Sequence, residues 1–255
     1  MKKIFLTYLI AIMSMVTAFP AAASGKLTFV TDPFPPYYYE EDGKTKGIQY
    51  ELAVLAFQKL RIQFEVKFLP WKRALMTAQA RNASGIFGLR KTREREEWLI
   101  YPEEPLMTVR TVIFHRAEDK FNYTGIESLK GKKVGITKGY TYGSEFDRSR
   151  LFQKEEVSSL QLNFLKLKAG RIDLVASYRA VGLLALEQMG LDESISFSPN
   201  PIQSVPIYLG FTKTPGNGAL ALKFDKALKD IKKSPECLEL INRLQIDVEM
   251  ISPCE

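Results

Sequence analysis

The chain of 255 residues has one histidine, His115, and two cysteines, Cys237 and Cys254. A Ser–His–Asp triad or a histidine-rich metal site therefore has almost nothing to be built from. His115 ends the apolar run "TVIF" and reads as a strand or linker residue rather than a catalyst. Long apolar stretches are scarce as well. Beyond the N-terminus, no segment reaches the ~18 apolar residues of a spanning helix. Long runs of one charge are also missing. The formal charge of +7 is spread along the chain, and no nucleic-acid-binding module is visible. With 45% hydrophobic and 25% charged residues, the composition is that of a soluble globular protein with room for one large core or two modest ones.

What is present begins with "MKKIFLTYLIAIMSMVTAFPAAAS". Lys2 and Lys3 precede an apolar stretch from Ile4 to about Phe19, and Ala21–Ala23 fits an A-x-A cleavage site. The reading is a signal peptide over residues 1–23, cleaved near Ala23, with the mature protein exported to the periplasm. The alternative is an N-terminal membrane anchor, for which the apolar core is short. Losing Lys2 and Lys3 lowers the charge by two and leaves only a mild bias toward anionic partners. An even cysteine count in an exported chain points to a Cys237–Cys254 disulfide, the alternative being two free thiols.

Strand-like and helix-like segments then alternate. "KLTFVT" (26–31) alternates as a strand and stops at "DPFPPYYYEEDG", a proline-rich loop. "GIQYELAVLAFQKL" carries a helical apolar face, "FEVKFL" reads as a strand, "WKRALMTAQA" as a helix, and "GIFGL" and "TVIFH" as strands. Near residue 130 the pattern restarts with "KKVGIT", a glycine-containing turn "KGYTYGSEF", the helix "SLQLNFLKLKAG", the strand "RIDLVAS" and the helix "AVGLLALEQMG". The strand "IYLGFT" and the helix "LALKFDKALKDIKKS" close the series, the latter with Leu220, Phe224, Leu228 and Ile231 on one face. Such alternation means parallel sheets covered by helices, and the restart means two α/β lobes. Ligands of open parallel sheets bind beyond the carboxyl ends of the strands. Both aromatic turns and the segment after "GIFGL" sit at such ends.

That last segment, "GLRKTREREEW" (88–98), holds four cations within six residues: Arg90, Lys91, Arg93 and Arg95. Thr92 is placed to cap a helix whose first turn contains Arg93 and Arg95. Cations are unfavourable at the positive end of a helix. Either an incoming anion compensates them, or Glu94, Glu96 and Glu97 do so on a solvated surface.

The order "GIQYELAVLAFQKL", "FLPWKRAL", "SGIFGLRKTRERE", "YPEEPL", "LKGKKVGITKGYT", "KLKAGRIDLVAS" resembles the periplasmic solute-binding proteins of the polar amino-acid family, over nearly all of the mature chain. The resemblance implies a two-lobed α/β fold joined by two hinge strands, with crossings near 111–116 and 204–210. Lobe 1 would comprise residues 25–112 plus 206–255, and lobe 2 residues 113–205. It also implies a monomer, without a cofactor, that closes on a small ligand and passes it to an ATP-driven importer. A sensory receptor acting on a membrane signalling protein is the alternative. A periplasmic dehydratase is a third reading, with Glu40, Glu41, Asp42, Glu103 and Glu104 as candidate acids.

By the resemblance, Arg95 clamps a ligand carboxylate, for which a guanidinium fork is suited, and Arg90 and Gly88 lie beside it. Thr141 would hold the other carboxylate oxygen, or else simply cap a helix. Phe34, Tyr37 and Trp71 are aromatic candidates for ligand contact or for packing. Two positions depart from the pattern. Tyr178 stands where the family holds the ligand's ammonium with an acid, and Ser84 where a lobe-1 aspartate is usual. Asp173 matches a structural aspartate. A ligand with an α-ammonium would need a different partner.

Overall fold

The computed structural model describes residues 26–244 and Cys254. The segment read as a signal peptide lies outside these residues. The chain order opens with β1 (Leu27–Thr31), β2 (Tyr39–Glu41), β3 (Lys44–Lys46), α1 (Ile48–Lys59), β4 (Phe64–Phe68), α2 (Trp71–Gln79), β5 (Gly85–Leu89), α3 (Arg93–Glu96), β6 (Leu99–Ile100) and β7 (Met107–Arg116). It continues with β8 (Lys133–Thr137), α4 (Ser144–Arg148), β9 (Gln153–Val157), α5 (Leu160–Lys168), β10 (Leu174–Tyr178), α6 (Arg179–Met189) and β11 (Ile195–Phe197). β12 (Gln203–Thr212), α7 (Asn217–Lys232) and α8 (Pro235–Arg243) complete it.

The strands run in the order β4-β1-β5-β12-β7-β10-β8-β9. β4, β1 and β5 are parallel, as are β10, β8 and β9. Between these two parallel blocks lie β12 and β7, each ten residues long and antiparallel to its neighbours. β12 pairs with β7 through Gln203–Ile207 and with β5 from Tyr208 onward. The same strand is thus shared by both halves. This is the two-lobed arrangement with two connecting strands.

Each half has its own core. In the first, Phe29, Phe57, Phe211 and Phe224 are fully buried between β1, α1, β12 and α7. In the second, Phe114, Phe164 and Leu186 fill one face of the sheet, while Val134, Phe146 and Leu174 fill the other. Central strands covered on both faces read as apolar runs, which is what "GIFGL" and "TVIFH" are.

One loop is more ordered than its composition implies. "DPFPPYYYEEDG" ends in the β2–β3 hairpin, turned by Asp42 (φ 52°) and Gly43 (φ 69°). Two consecutive left-handed residues of the type Asp-Gly match the right-handed strand twist.

α6 fixes the position of Tyr178 at its N-terminal edge, so its seating on the sheet matters. Gly182 faces β7, and a Cβ there would lie 2.2 Å from Cζ of the fully buried Phe114. Gly182→Ala should destabilise the protein by roughly 1–3 kcal/mol despite the better helix propensity of alanine. A melting temperature equal to or above wild type would refute this packing.

Candidate functional site

The strand ends of both halves enclose a cavity of ≈ 430 Å³. Asp32, Phe34 and Tyr38 enter it from the segment after β1, and Gly88 and Arg90 from the end of β5. Trp71 and Arg95 enter from the starts of α2 and α3. The second half contributes Tyr140, Thr141 and Tyr178, and Val109 and Ile207 of the connecting strands close the back.

Thr92 caps α3, its hydroxyl accepting the Arg95 backbone N–H at 3.3 Å. The cap turns the Arg95 side chain inward, whereas Arg93 is exposed. Arg95 Nη1 donates to the Arg90 carbonyl at 2.9 Å, and its guanidinium lies 5.6 Å from the centroid of the Trp71 ring. Tyr101 Oη donates to the same carbonyl at 3.3 Å. The backbone of Arg90 is thereby pinned, and its side chain extends across the cleft, where Nη2 donates to Thr141 Oγ1 at 2.7 Å. Tyr178 Oη donates to the Thr141 carbonyl at 3.4 Å, and Phe34 meets the Tyr178 ring edge-on at 5.5 Å.

The carboxylates beside the cations on α3 form no direct ion pair with the inward arginines among the described residues. Glu96 pairs with Lys91 at 3.1 Å, and among the described residues no carboxylate forms an ion pair with Arg90 or Arg95. Burial lowers the pKa of Arg95, with Tyr101 and, more weakly, Glu94 opposing this and Arg90 adding to it. Asp32 is the reverse case. Burial raises its carboxyl above the usual 3.8, partly offset by a backbone hydrogen bond, and among the described residues it too has no ion pair. Burial thus disfavours the charged forms of Arg95 and Asp32.

A carboxylate with a raised folded-state pKa costs stability above that pKa, and the cost vanishes as pH falls toward the unfolded value. Asp32→Asn should therefore melt higher than wild type at pH 7 without ligand, and the gap should close on acidification toward 3.8. Melting curves of the pair across pH would check it; a variant less stable at pH 7 would show that the carboxylate is structurally needed.

Of the residues singled out in the sequence, Arg95, Arg90, Gly88, Thr141, Phe34, Trp71 and Tyr178 all reach the cavity. Tyr37 does not. It is buried, stacked on Phe34 at 5.2 Å, and lies beside the start of α6 near Ala180. Its neighbour Tyr38 reaches the cavity instead, donating from Oη to the Gly88 carbonyl at 3.1 Å. Gly88 has φ +72°, and any Cβ there would meet the Tyr38 ring at 2.3 Å. Its glycine therefore serves backbone shape. Thr141 is not a helix cap: α4 begins at Ser144, and Asp147 accepts the N–H groups of Tyr142 and Gly143.

Ser84 lies at the opposite end of β5, accepting the Thr28 N–H at 3.2 Å, away from the cavity. Asp173 accepts the Lys133 N–H at 2.7 Å and ties β8 to the start of β10. Asp32 is the residue that sequence reasoning missed. The signal was available, since it immediately follows the last residue of an apolar parallel strand.

The profile of the bacterial extracellular solute-binding proteins, family 3, matches residues 27–244. The chain belongs to that family. Among the relatives of this solute-binding protein is the probable amino-acid-binding protein YxeM of Bacillus subtilis (strain 168), 23% identical over 78% of this chain and 75% of YxeM. Another is the putative ABC transporter arginine-binding protein 2 of Escherichia coli (strain K12), 25% identical over 91% of this chain and 94% of the relative. The fold matches the crystal structure of YckB from Bacillus subtilis with a TM-score of 0.73 at 22% identity, covering 88% and 93% of the two chains. For a solute-binding protein, a polar cavity between two lobes is the place for the solute. Here its walls carry two arginines, one aspartate and a set of aromatic rings.

Proposed function

We propose that the protein is a periplasmic receptor that closes on a small ligand bearing a carboxylate, an amino acid or a related compound, and delivers it to an ATP-driven importer. Its lobes comprise residues 25–112 with 206–255, and residues 113–205. It works as a monomer without a cofactor. The observation that carries the reading is Arg95: half-buried between the lobes, held by Arg90 and Trp71, and without a counter-ion among the described residues. A planar fork in that setting suits a carboxylate, which supplies both the missing charge and the matching geometry. The amino-acid-binding and ABC-transporter relatives support solute import as the use of such a site. The acids considered for an enzyme lie elsewhere. Glu41 pairs with Lys46 on the β2–β3 hairpin, and Glu103 and Glu104 pair with Lys229 and Lys232 of α7.

Direct contacts already cross the cleft, Arg90 to Thr141 and Phe34 to Tyr178. Ligand that bridges the same walls adds to them and shifts the lobes toward closure. A thermal-shift screen of amino acids and organic acids on the mature protein tests the reading. Small-angle scattering with the compound that shifts most should give a smaller radius of gyration than the ligand-free protein. No shift with any carboxylate would overturn the proposal, and an unchanged radius would remove closure from it.

A further inference from the structure

Among the described residues, the charges lining the cavity are two cations and one anion: Arg90, Arg95 and Asp32. None of the three is in an ion pair among the described residues. Their placement follows from the sheet. β1 and β5 are adjacent and parallel, so Asp32 and Arg90, one residue beyond each strand, emerge at the same edge. Arg95 is bonded to the Arg90 carbonyl and enters beside it. The second lobe brings no charge to the cavity; it brings Tyr140, Thr141 and Tyr178.

Charges taken out of water must be matched or they weigh against closure. The possible ligands differ in how they match this set. A monocarboxylate leaves one arginine uncompensated. A dicarboxylate without an amine satisfies both arginines and leaves Asp32 unpaired. An arginine-like ligand brings one carboxylate to two guanidiniums and two cations to one carboxylate. Two carboxylates and one ammonium satisfy all three.

Resting on the carboxylate-receptor reading above, we propose that the ligand is an acidic amino acid, or a compound with the same pattern of two carboxylates and one amine. Arg95 holds one carboxylate, Arg90 holds the second, and Asp32 takes the ammonium. Arg90 is the specificity residue of this arrangement. One of its N–H groups is engaged by Thr141, so the lobe-crossing bond orients the guanidinium while leaving other donors for the ligand. Asp32 supplies the carboxylate that the second lobe, with Tyr178, lacks.

The test is calorimetry on the mature protein with L-glutamate, L-aspartate, L-glutamine, L-asparagine, L-arginine and glutarate. An acidic amino acid should bind tighter than its own amide, than L-arginine and than glutarate by about tenfold or more, since each competitor leaves a buried charge or donor unmatched. In Arg90→Gln the ratio of acid to amide affinity should fall by about tenfold or more. In Asp32→Asn the preference for glutamate over glutarate should be lost. Circular dichroism and ligand-free melting of both variants confirm that they are folded. An amide or L-arginine binding as tightly as the acids overturns the inference, as does an acid-to-amide ratio unmoved by Arg90→Gln, or failure of every compound to bind. Glutarate binding as tightly as L-glutamate overturns the role given to Asp32. The underlying reading fails separately: it falls if Arg95→Ala leaves the affinity of the bound compound unchanged. It survives if L-arginine wins the panel and Arg95 is still required.

Discussion

Arg95→Ala should weaken ligand binding by roughly tenfold to a hundredfold or more. A hydrogen bond to a charged group is worth about 1.5–3 kcal/mol, and each 1.4 kcal/mol is about tenfold in affinity. Arg95 offers its fork in a half-buried setting, where screening by water is reduced. Arg95→Lys keeps the charge but loses the planar fork, the bond to the Arg90 carbonyl and the guanidinium face over Trp71. It should recover only part of the affinity. Arg93→Ala removes an exposed cation on the same four-residue helix and should change little. Calorimetry on the three variants gives the order wild type ≥ Arg93→Ala > Arg95→Lys > Arg95→Ala. Ligand-free melting separates this role from a structural one. Burial disfavours the Arg95 charge when no ligand compensates it, so its removal should cost little stability, as is common where function and stability conflict. An Arg95→Ala variant that binds like wild type would reduce the cluster to a solvated helix start.

Much of this site is legible in the amino-acid sequence, because the relevant signals are local. Thr92 before a short helix places Arg95 relative to the end of "GIFGL", and an apolar strand end is where α/β sheets keep ligands. The alternation of strands and helices, and its restart near residue 130, reports two lobes for the same local reason. What is not legible depends on direction. "FPPYYY" contains three successive tyrosines, and period alone does not say that Tyr38 faces the cavity while Tyr37 turns behind Phe34 to α6. The hairpin over Tyr39–Lys46 is hidden by its proline-rich approach, although Asp42-Gly43 is a strong turn signal. Glu104 reads as one of a pair of surface acids, yet its partner Lys232 is buried on α7 and also donates to the Pro105 carbonyl at 2.7 Å. Contacts between residues more than a hundred positions apart have no local signature. Asp32 is a different miss: its position is readable, but its significance depends on Tyr178 having no charge.

Loss of the disulfide should cost the first lobe about 3 kcal/mol. Cys237 lies in α8, fully buried among Phe57, Leu228 and Leu240, and is bonded to Cys254 with Cα atoms 5.9 Å apart. That spacing is ordinary for a disulfide. The bond closes a loop of 17 residues, for which the chain-entropy argument gives about 3 kcal/mol. Cys254 itself packs against the same core, so the bond holds α8 and Cys254 together against that core. Cys254→Ser tests the bond with little damage to packing, because Cys237 remains as a small buried hydrophobe. Cys237→Ser should cost more, because it also places a hydroxyl in an apolar core. For a chain of this size, each kcal/mol shifts the melting temperature by about 2–4 °C. Cys254→Ser should therefore melt roughly 6–12 °C below wild type, given about 3 kcal/mol. Reductant should bring the wild type to the same place and leave the variant unmoved. Denaturant titration should show a lower midpoint, and alkylation of non-reduced native protein should find no free thiol. A wild type whose melting ignores reductant, with two alkylatable cysteines, would mean that the bond does not form in the native protein and that α8 is held by its apolar face alone.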